Sequence, residues 1–499
     1  MLVRRILMLF IIALVYQSAP ATVIHVPGDY PTIQQGIDAC SDYDTVMVAN
    51  GTYLENINIP LPLSLIGQNR DSVIIDGSGV GDVILIDTSY VFVSNFTITN
   101  SGSDVEDAGI ELSYTADCVI DYCKFEDNYS GISMYGAANN CISRCEFSDQ
   151  VYGIYFRDII PGPMLSNISN TVQNSIIQNS DSFGVNFSHV LGSYHRSNLI
   201  AGNRIINNDT GISSITCQGN TFIFNQIETS NHYGIHHSRC ICGGELNHFD
   251  HNNFISNNGD SVQAIDFGSG SDYWYSITEE EGNYWSDYTG PDTNGNGIGD
   301  IPYDIDGGEE QDLYPLMLPL KSEISGVVSD GSDPIAGVYV QALGTSVDDY
   351  TDNNGFYSLD GLGAGMYDIG FLHPLYQSVY ERGVPATLDN ITNLDVVMDP
   401  ITEVSENNAP MPTGYMLLKN YPNPFNASTT IRYSLQIKSE VTLSVYNLLG
   451  QGVETLFEGT QNPGEHTLNW DASHLPSGIY FAKLEAAEQT KNIKMVLLK

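Results

Sequence analysis

Gly109-Ile110, Gly131-Ile132, Gly153-Ile154, Gly184-Val185, Gly211-Ile212 and Gly234-Ile235 recur through the middle of a 499-residue chain, at steps of 22, 22, 31, 27 and 23 residues. Each pair closes the same phrase: an Asn-rich turn, an Ile/Phe pair, a polar stretch, then the glycine. The longer steps hold inserts, such as 157–170 with its two prolines. Between the glycines, runs such as Asn203-Arg204-Ile205-Ile206 and Asn225-Gln226-Ile227 alternate polar and apolar residues. That is the period of a strand with one buried face, and helical spacing is almost absent. A unit of about 22 residues cannot bury its own apolar face, whereas units stacked about 4.8 Å apart bury a continuous core. The spacing therefore predicts an all-β solenoid, a right-handed parallel β-helix over residues 22–320. It has room for roughly eleven rungs and a length on the order of 50 Å.

Asparagine suits the corners of such a coil, because it tolerates left-handed backbone and can bond to its equivalent one rung away. Asn203, Asn207, Asn225, Asn231, Asn252 and Asn257 are the residues expected in these ladders. Cysteines keep the same step: Cys123 and Cys145 are 22 apart, and Cys217 and Cys240 are 23 apart. Each pair is expected either as a disulfide between stacked rungs or as two stacked thiols in the wall.

The first residues bear on the compartment. Arg4 and Arg5, the apolar run from Ile6 to Tyr16, and Ala19-Pro20-Ala21 make residues 1–21 a signal peptide. No other segment is long and apolar enough for a transmembrane helix. With 60 acidic against 18 basic residues, the net charge of -42 repels phosphate backbones and argues against nucleic acid as a partner. An exported monomer is expected.

The opening Val26-Pro27-Gly28-Asp29-Tyr30-Pro31-Thr32-Ile33-Gln34-Gln35-Gly36-Ile37, followed by Asp44-Thr45-Val46-Met47-Val48-Ala49-Asn50-Gly51-Thr52-Tyr53, resembles that of many β-helix proteins, pectinesterases among them. The resemblance implies a short helix capping the open end of the rod. The downstream repeats, ending in Gly282-Asn283-Tyr284-Trp285-Ser286-Asp287-Tyr288, look like the NosD-type family of periplasmic β-helix proteins. Residues 321–400 change to short strands with glycine turns, such as Ile324-Ser325-Gly326-Val327-Val328 and Thr351-Asp352-Asn353-Asn354-Gly355. They resemble the carboxypeptidase regulatory-like domain, a transthyretin-like β-sandwich. A polar linker, 401–414, precedes Asn420-Tyr421-Pro422-Asn423-Pro424-Phe425-Asn426, Leu448-Leu449-Gly450-Gln451 and the terminal Lys494-Met495-Val496-Leu497-Leu498-Lys499. Residues 415–499 are similar to the type A sorting domain of the type IX secretion system, an Ig-like sandwich. That resemblance implies a diderm bacterium, contact with the secretion machinery, and release or attachment at the outer-membrane surface.

Chemistry is less legible. In Asp292-Thr293-Asn294-Gly295-Asn296-Gly297-Ile298-Gly299-Asp300, alternate oxygens from Asp292, Asn294, Asn296 and Asp300, with the Ile298 carbonyl, suit Ca²⁺. Tyr303 stands where a bidentate Glu would close an EF-hand loop, with Asp304 or Asp306 as substitutes. An Asx/Gly turn without an ion is the alternative. His232, His236, His237, Cys240, Cys242, His248 and His251 form a second cluster with copper- or zinc-binding side chains. Adjacent His236 and His237 nevertheless point to opposite faces of a strand. Lys124, Arg144 and Arg157 fall on neighbouring rungs and are the candidates for a lyase-type basic patch. Tyr135, Tyr152, Tyr155 and Trp274, with Tyr273 and Tyr275, are aromatics able to stack on sugar rings. The chain lacks a polygalacturonase-like Gly-His-Gly or a pectinesterase-like Arg-Pro-Trp element. The leading expectation is thus a non-catalytic, polysaccharide-binding surface protein. The alternatives are a calcium-dependent polysaccharide lyase and a NosD-like copper- or metal-related protein.

Overall fold

The computed structural model describes residues 22–400 apart from 158–166, 189–194, 216, 239–244, 268–271, 344, 346 and 374. Beyond them it describes 418–497 apart from 422–424, 426–427, 436–438, 448–451, 462–463, 476–477 and 487–488. The signal-peptide stretch, the linker 401–414, Cys240 and Cys242 lie outside the described residues.

Three long parallel sheets of ten, nine and ten strands wind around one axis, each strand pairing with its equivalent a rung away. Inserts lengthen several turns, so the coil makes about ten rungs rather than eleven. The repeated glycines line up as their spacing predicts. A methyl group on Gly131 would sit 2.7 Å from the Gly153 carbonyl oxygen, and one on Gly211 2.5 Å from that of Gly234. No side chain fits at this corner of the second, nine-stranded sheet.

Inward positions of that sheet form one column through the axis. It runs through Ile59, Ile86, Leu112, Met134, Phe156 and Phe187, then Ser214, His237 and Asp266, in unbroken register. Phe156 stacks on Phe187 at 4.1 Å, Phe249 on Trp274 at 4.4 Å, and Trp285 on Tyr303 at 4.2 Å. Cys123 and Cys145 are fully buried free thiols, each donating to a carbonyl of its own turn. Burial pushes the Cys123 thiol up to about 12, which leaves it protonated and inert. Of the two forms expected, this pair takes stacked thiols.

Two buried asparagine ladders close the corners. In one, Asn140, Asn170, Asn198 and Asn220 each donate a backbone N–H to the next side-chain oxygen, ending at Asn247 and Asp272. In the other, Asn203, Asn225, Asn252 and Asn283 run in the same direction to Asp312. At a third corner Asn257 accepts the Ser230 N–H and donates its own to Gln263. Asn207 and Asn231 are exposed instead, one step outside these stacks.

At the entry end the helix Ile33–Asp38 covers the first rung, its Gln35 N–H capped by the Thr32 hydroxyl at 3.2 Å. Residues through Asp399 form one compact unit. Within it, the sandwich of two four-stranded sheets between Ser322 and Val397 lies along the coil, over the corner between the ten-stranded sheets. Arg382 pairs with Asp71 at 3.2 Å, Thr387 Oγ1 lies 3.0 Å from Asn174 Oδ1, and Gly383 abuts the Tyr122 ring. The second unit, Pro400–Lys499, is a three-stranded and a four-stranded antiparallel sheet around Tyr433, Leu443, Trp470 and Leu484.

Candidate functional site

The outer face of the nine-stranded sheet is where the coil turns unusual side chains outward. Strand alternation aligns Glu111, Ser133, Tyr155, Asn186, Ser213 and His236 in one outward column. Beside it, Tyr152 stacks in parallel on Phe183 at 6.0 Å, meets Tyr155 at 4.8 Å and lies edge-on to Tyr129 at 5.7 Å. These four rings are half-buried. Further along, Tyr233 and Phe267 flank His236.

One end of this wall is strongly polar. Arg157 is 7% exposed, bonds to Glu111 at 3.1 Å and sits 5.6 Å from the Tyr135 ring. Burial, followed by the nearby Glu111 carboxylate, pushes Asp82 up to about 7. Burial likewise raises Glu111, against the opposing charge of Arg157. Among the described residues, Arg157 Nε and Ser133 Oγ are buried without a hydrogen-bond partner. Such atoms are expensive to leave unpaired.

The three basic residues from neighbouring rungs do not meet. Arg157 belongs to the nine-stranded sheet, Lys124 begins a strand of another sheet, and Arg144 sits at a corner with φ of 52°. Each is matched to an acid: Lys124 to Glu126, Arg144 to Asp121 with Nε–Oδ1 at 2.9 Å, Arg157 to Glu111. Arg157, on a different sheet, does not share one patch with the other two. Tyr152 and Tyr155 are half-buried on the outer face. Tyr135 is 8% exposed, with its hydroxyl 3.1 Å from that of Tyr114. Trp274 is wholly buried, stacked on Phe249 in the core rather than facing solvent.

In the 292–300 loop, Asp292 accepts from the N–H groups of Gly295, Asn296 and Gly297, and Asn294 and Asn296 each accept two residues on. Asp300 accepts from Thr293 through both N–H and hydroxyl, and Ile298 bridges to Leu316. Asp304 is engaged by Gln311 at 2.6 Å on a separate short hairpin. The histidines scatter as strand alternation requires. His232 pairs with Asp209 at the surface, His236 faces out, His237 faces in, and His251 is gripped by Asp250 at 2.8 Å.

Glu111, Asp82 and Ser133 were not singled out from sequence. Only the register, which sets Glu111 beside Ser133 and Tyr155, brings them together.

A three-sheeted coil with a polar, aromatic outer wall and appended sandwiches defines a right-handed parallel β-helix protein. Residues 41–290, half of the chain, match the family described as periplasmic copper-binding protein (NosD), and the chain belongs to that family. Residues 323–399 match the carboxypeptidase regulatory-like domain. Residues 419–498 match the secretion system C-terminal sorting domain, which marks the chain for type IX secretion to the cell surface or extracellular space. A probable ABC transporter binding protein NosD from Stutzerimonas stutzeri is 29% identical over 146 residues, 27% of this chain and 31% of that protein. The match thus spans about a third of that relative. Among solved structures, an alginate lyase from Paenibacillus has a TM-score of 0.37 at 13% identity, covering 51% of this chain and 97% of that one. PfbA, a surface adhesin of Streptococcus pneumoniae, has a TM-score of 0.37 at 14% identity, covering 53% and 78%. Neither likeness bears on activity. No described helix is long and apolar enough to cross a membrane.

Proposed function

We propose that the outer wall of the nine-stranded sheet binds an extended extracellular polysaccharide. The observation that carries this reading is the half-buried aromatic group Tyr129, Tyr152, Tyr155 and Phe183 beside the polar column from Glu111 to Ser213. Ring faces supply apolar contact to sugars, and Tyr155 and His236, the half-buried members of the outward column, supply hydrogen-bonding groups, the mixture that carbohydrate sites need. Successive rungs repeat about every 4.8 Å, so an extended chain lies across several of them at once.

An enzymatic variant has one observation in its favour: Asp82, near 7, beside Glu111 and Arg157, is suited to exchange a proton near neutral pH. Titrating the full chain with a panel of neutral and acidic polysaccharides, by calorimetry and with and without Ca²⁺, tests these readings together. Binding to one class, weakened roughly tenfold or more by Tyr152→Ala, is the expected result, since each stacked ring contributes on the order of 1 kcal/mol or more. Absence of binding across the panel, or full binding by Tyr152→Ala together with Tyr155→Ala, would refute the wall. Release of unsaturated, ultraviolet-absorbing ends would establish the lyase, and dependence of binding on Ca²⁺ would give the 292–300 loop an ion.

A further inference from the structure

The inward column of the nine-stranded sheet changes character near its end. Six rungs are apolar, from Ile59 to Phe187, and the next three place Ser214, His237 and Asp266 directly above one another. Asp272, at the end of the first asparagine ladder, comes to the same place. Candidate ligand atoms of His237, Asp266 and Asp272 all lie within 4.8 Å of one another, and all three residues are buried. Two carboxylates and a single imidazole thus converge in an interior walled by Phe249 and Trp274, a donor set that suits a divalent cation.

Each of the three is also held from behind. Ser214 Oγ lies 3.2 Å from His237 Nδ1, which leaves Nε2 directed at Asp272, 2.9 Å away. Asn247 donates its backbone N–H to Asp272 Oδ1 at 2.7 Å, and Trp274 Nε1 donates to Asp266 Oδ2 at 3.2 Å. Outer hydrogen bonds of this kind orient the ligands of a metal site and fix the tautomer of its histidine.

We propose that His237, Asp266 and Asp272 bind one divalent first-row metal ion of the Zn²⁺ or Mn²⁺ type inside the terminal rungs. One nitrogen and two carboxylate oxygens form a borderline-to-hard donor set, without the thiolate or thioether that selects Cu(I). Three protein ligands leave a position for water or a fourth group. The site faces the axis rather than the outer wall, so it stands independently of the polysaccharide reading. Its role is to lock the closing rungs.

The full chain, stripped with chelator and dialysed against Zn²⁺, Mn²⁺ or Cu²⁺, is assayed for bound metal by mass spectrometry, with Co²⁺ as a spectroscopic probe. About one equivalent of Zn²⁺ or Mn²⁺ is expected, with a raised thermal midpoint and visible Co²⁺ bands. Asp266→Asn and His237→Gln are expected to lower the affinity roughly tenfold or more, while Ser214→Ala weakens it less and His232→Ala leaves it unchanged. A folded wild-type chain that retains no metal would overturn the proposal and leave a buried ion triad. Equal retention by Asp266→Asn and His237→Gln would place the metal elsewhere and overturn it too. Should both variants fail to fold, the wild-type Co²⁺ spectrum decides, and a spectrum without imidazole–carboxylate ligation overturns it.

Discussion

Asp312 receives the backbone N–H of Asn283 at 2.7 Å, the Trp285 indole at 2.9 Å and the Tyr314 N–H at 3.0 Å, in full burial. Loss of water outweighs those donors and pushes its carboxyl up to about 6. A carboxyl whose folded value exceeds its unfolded one binds more protons when folded. Its contribution is complete below about pH 4 and is lost as pH rises through about 6. Asp82, raised to about 7, acts in the same direction. The thermal midpoint is therefore expected to fall between pH 4 and 7 as far as these two groups control it. Asp312→Asn should flatten the part due to Asp312, on the order of 3 kcal/mol, in melts recorded across that range. A slope unchanged in that variant would contradict the assignment.

Ladders and strands are the scale at which the sequence speaks most clearly. Glycines at a step of 22 to 31 residues, and Ile or Val after them, give the rungs and their inward faces directly, because a close backbone approach and a buried aliphatic side chain each admit few residue types. Asn203, Asn225 and Asn252 were equally legible. Asn140, Asn170, Asn198 and Asn220 were not, since the inserts around 158–166 and 189–194 obscure their period. The site lay deeper still. Glu111 and Asp82 are ordinary acids in a chain that has 60 of them, and Trp274 looks like any other aromatic until register turns it inward. At this scale, Asn225→Ala removes the acceptor of Asn203 and the donor to the Ile200 carbonyl, both buried. A loss of about 2–4 kcal/mol is expected in the denaturant midpoint, at unchanged slope. Less than about 0.5 kcal/mol would mean that the ladder is ornamental.

Across the whole of the first unit, the middle sandwich braces the coil on the side away from the proposed sugar-binding wall. Arg70 stacks 4.6 Å above Tyr122, and the Tyr122 ring in turn receives Gly383, whose φ is 60°. Gly383→Leu would drive a side chain into that ring and strain a left-handed backbone. Faster proteolytic cutting between 320 and 400, with polysaccharide affinity unaltered, is expected. A change in affinity would show that the sandwich reaches the wall. The asparagine ladders have a consequence of their own for the first unit. Along these ladders each coil receives amide hydrogens from the coil before it and passes its own to the coil after it, so neighbouring coils within this stretch join one another in the same way. An in-frame duplication or loss of one coil preserves all of these handovers. Rod length can therefore drift through unequal recombination while the entry helix and the aspartate-terminated end stay as they are.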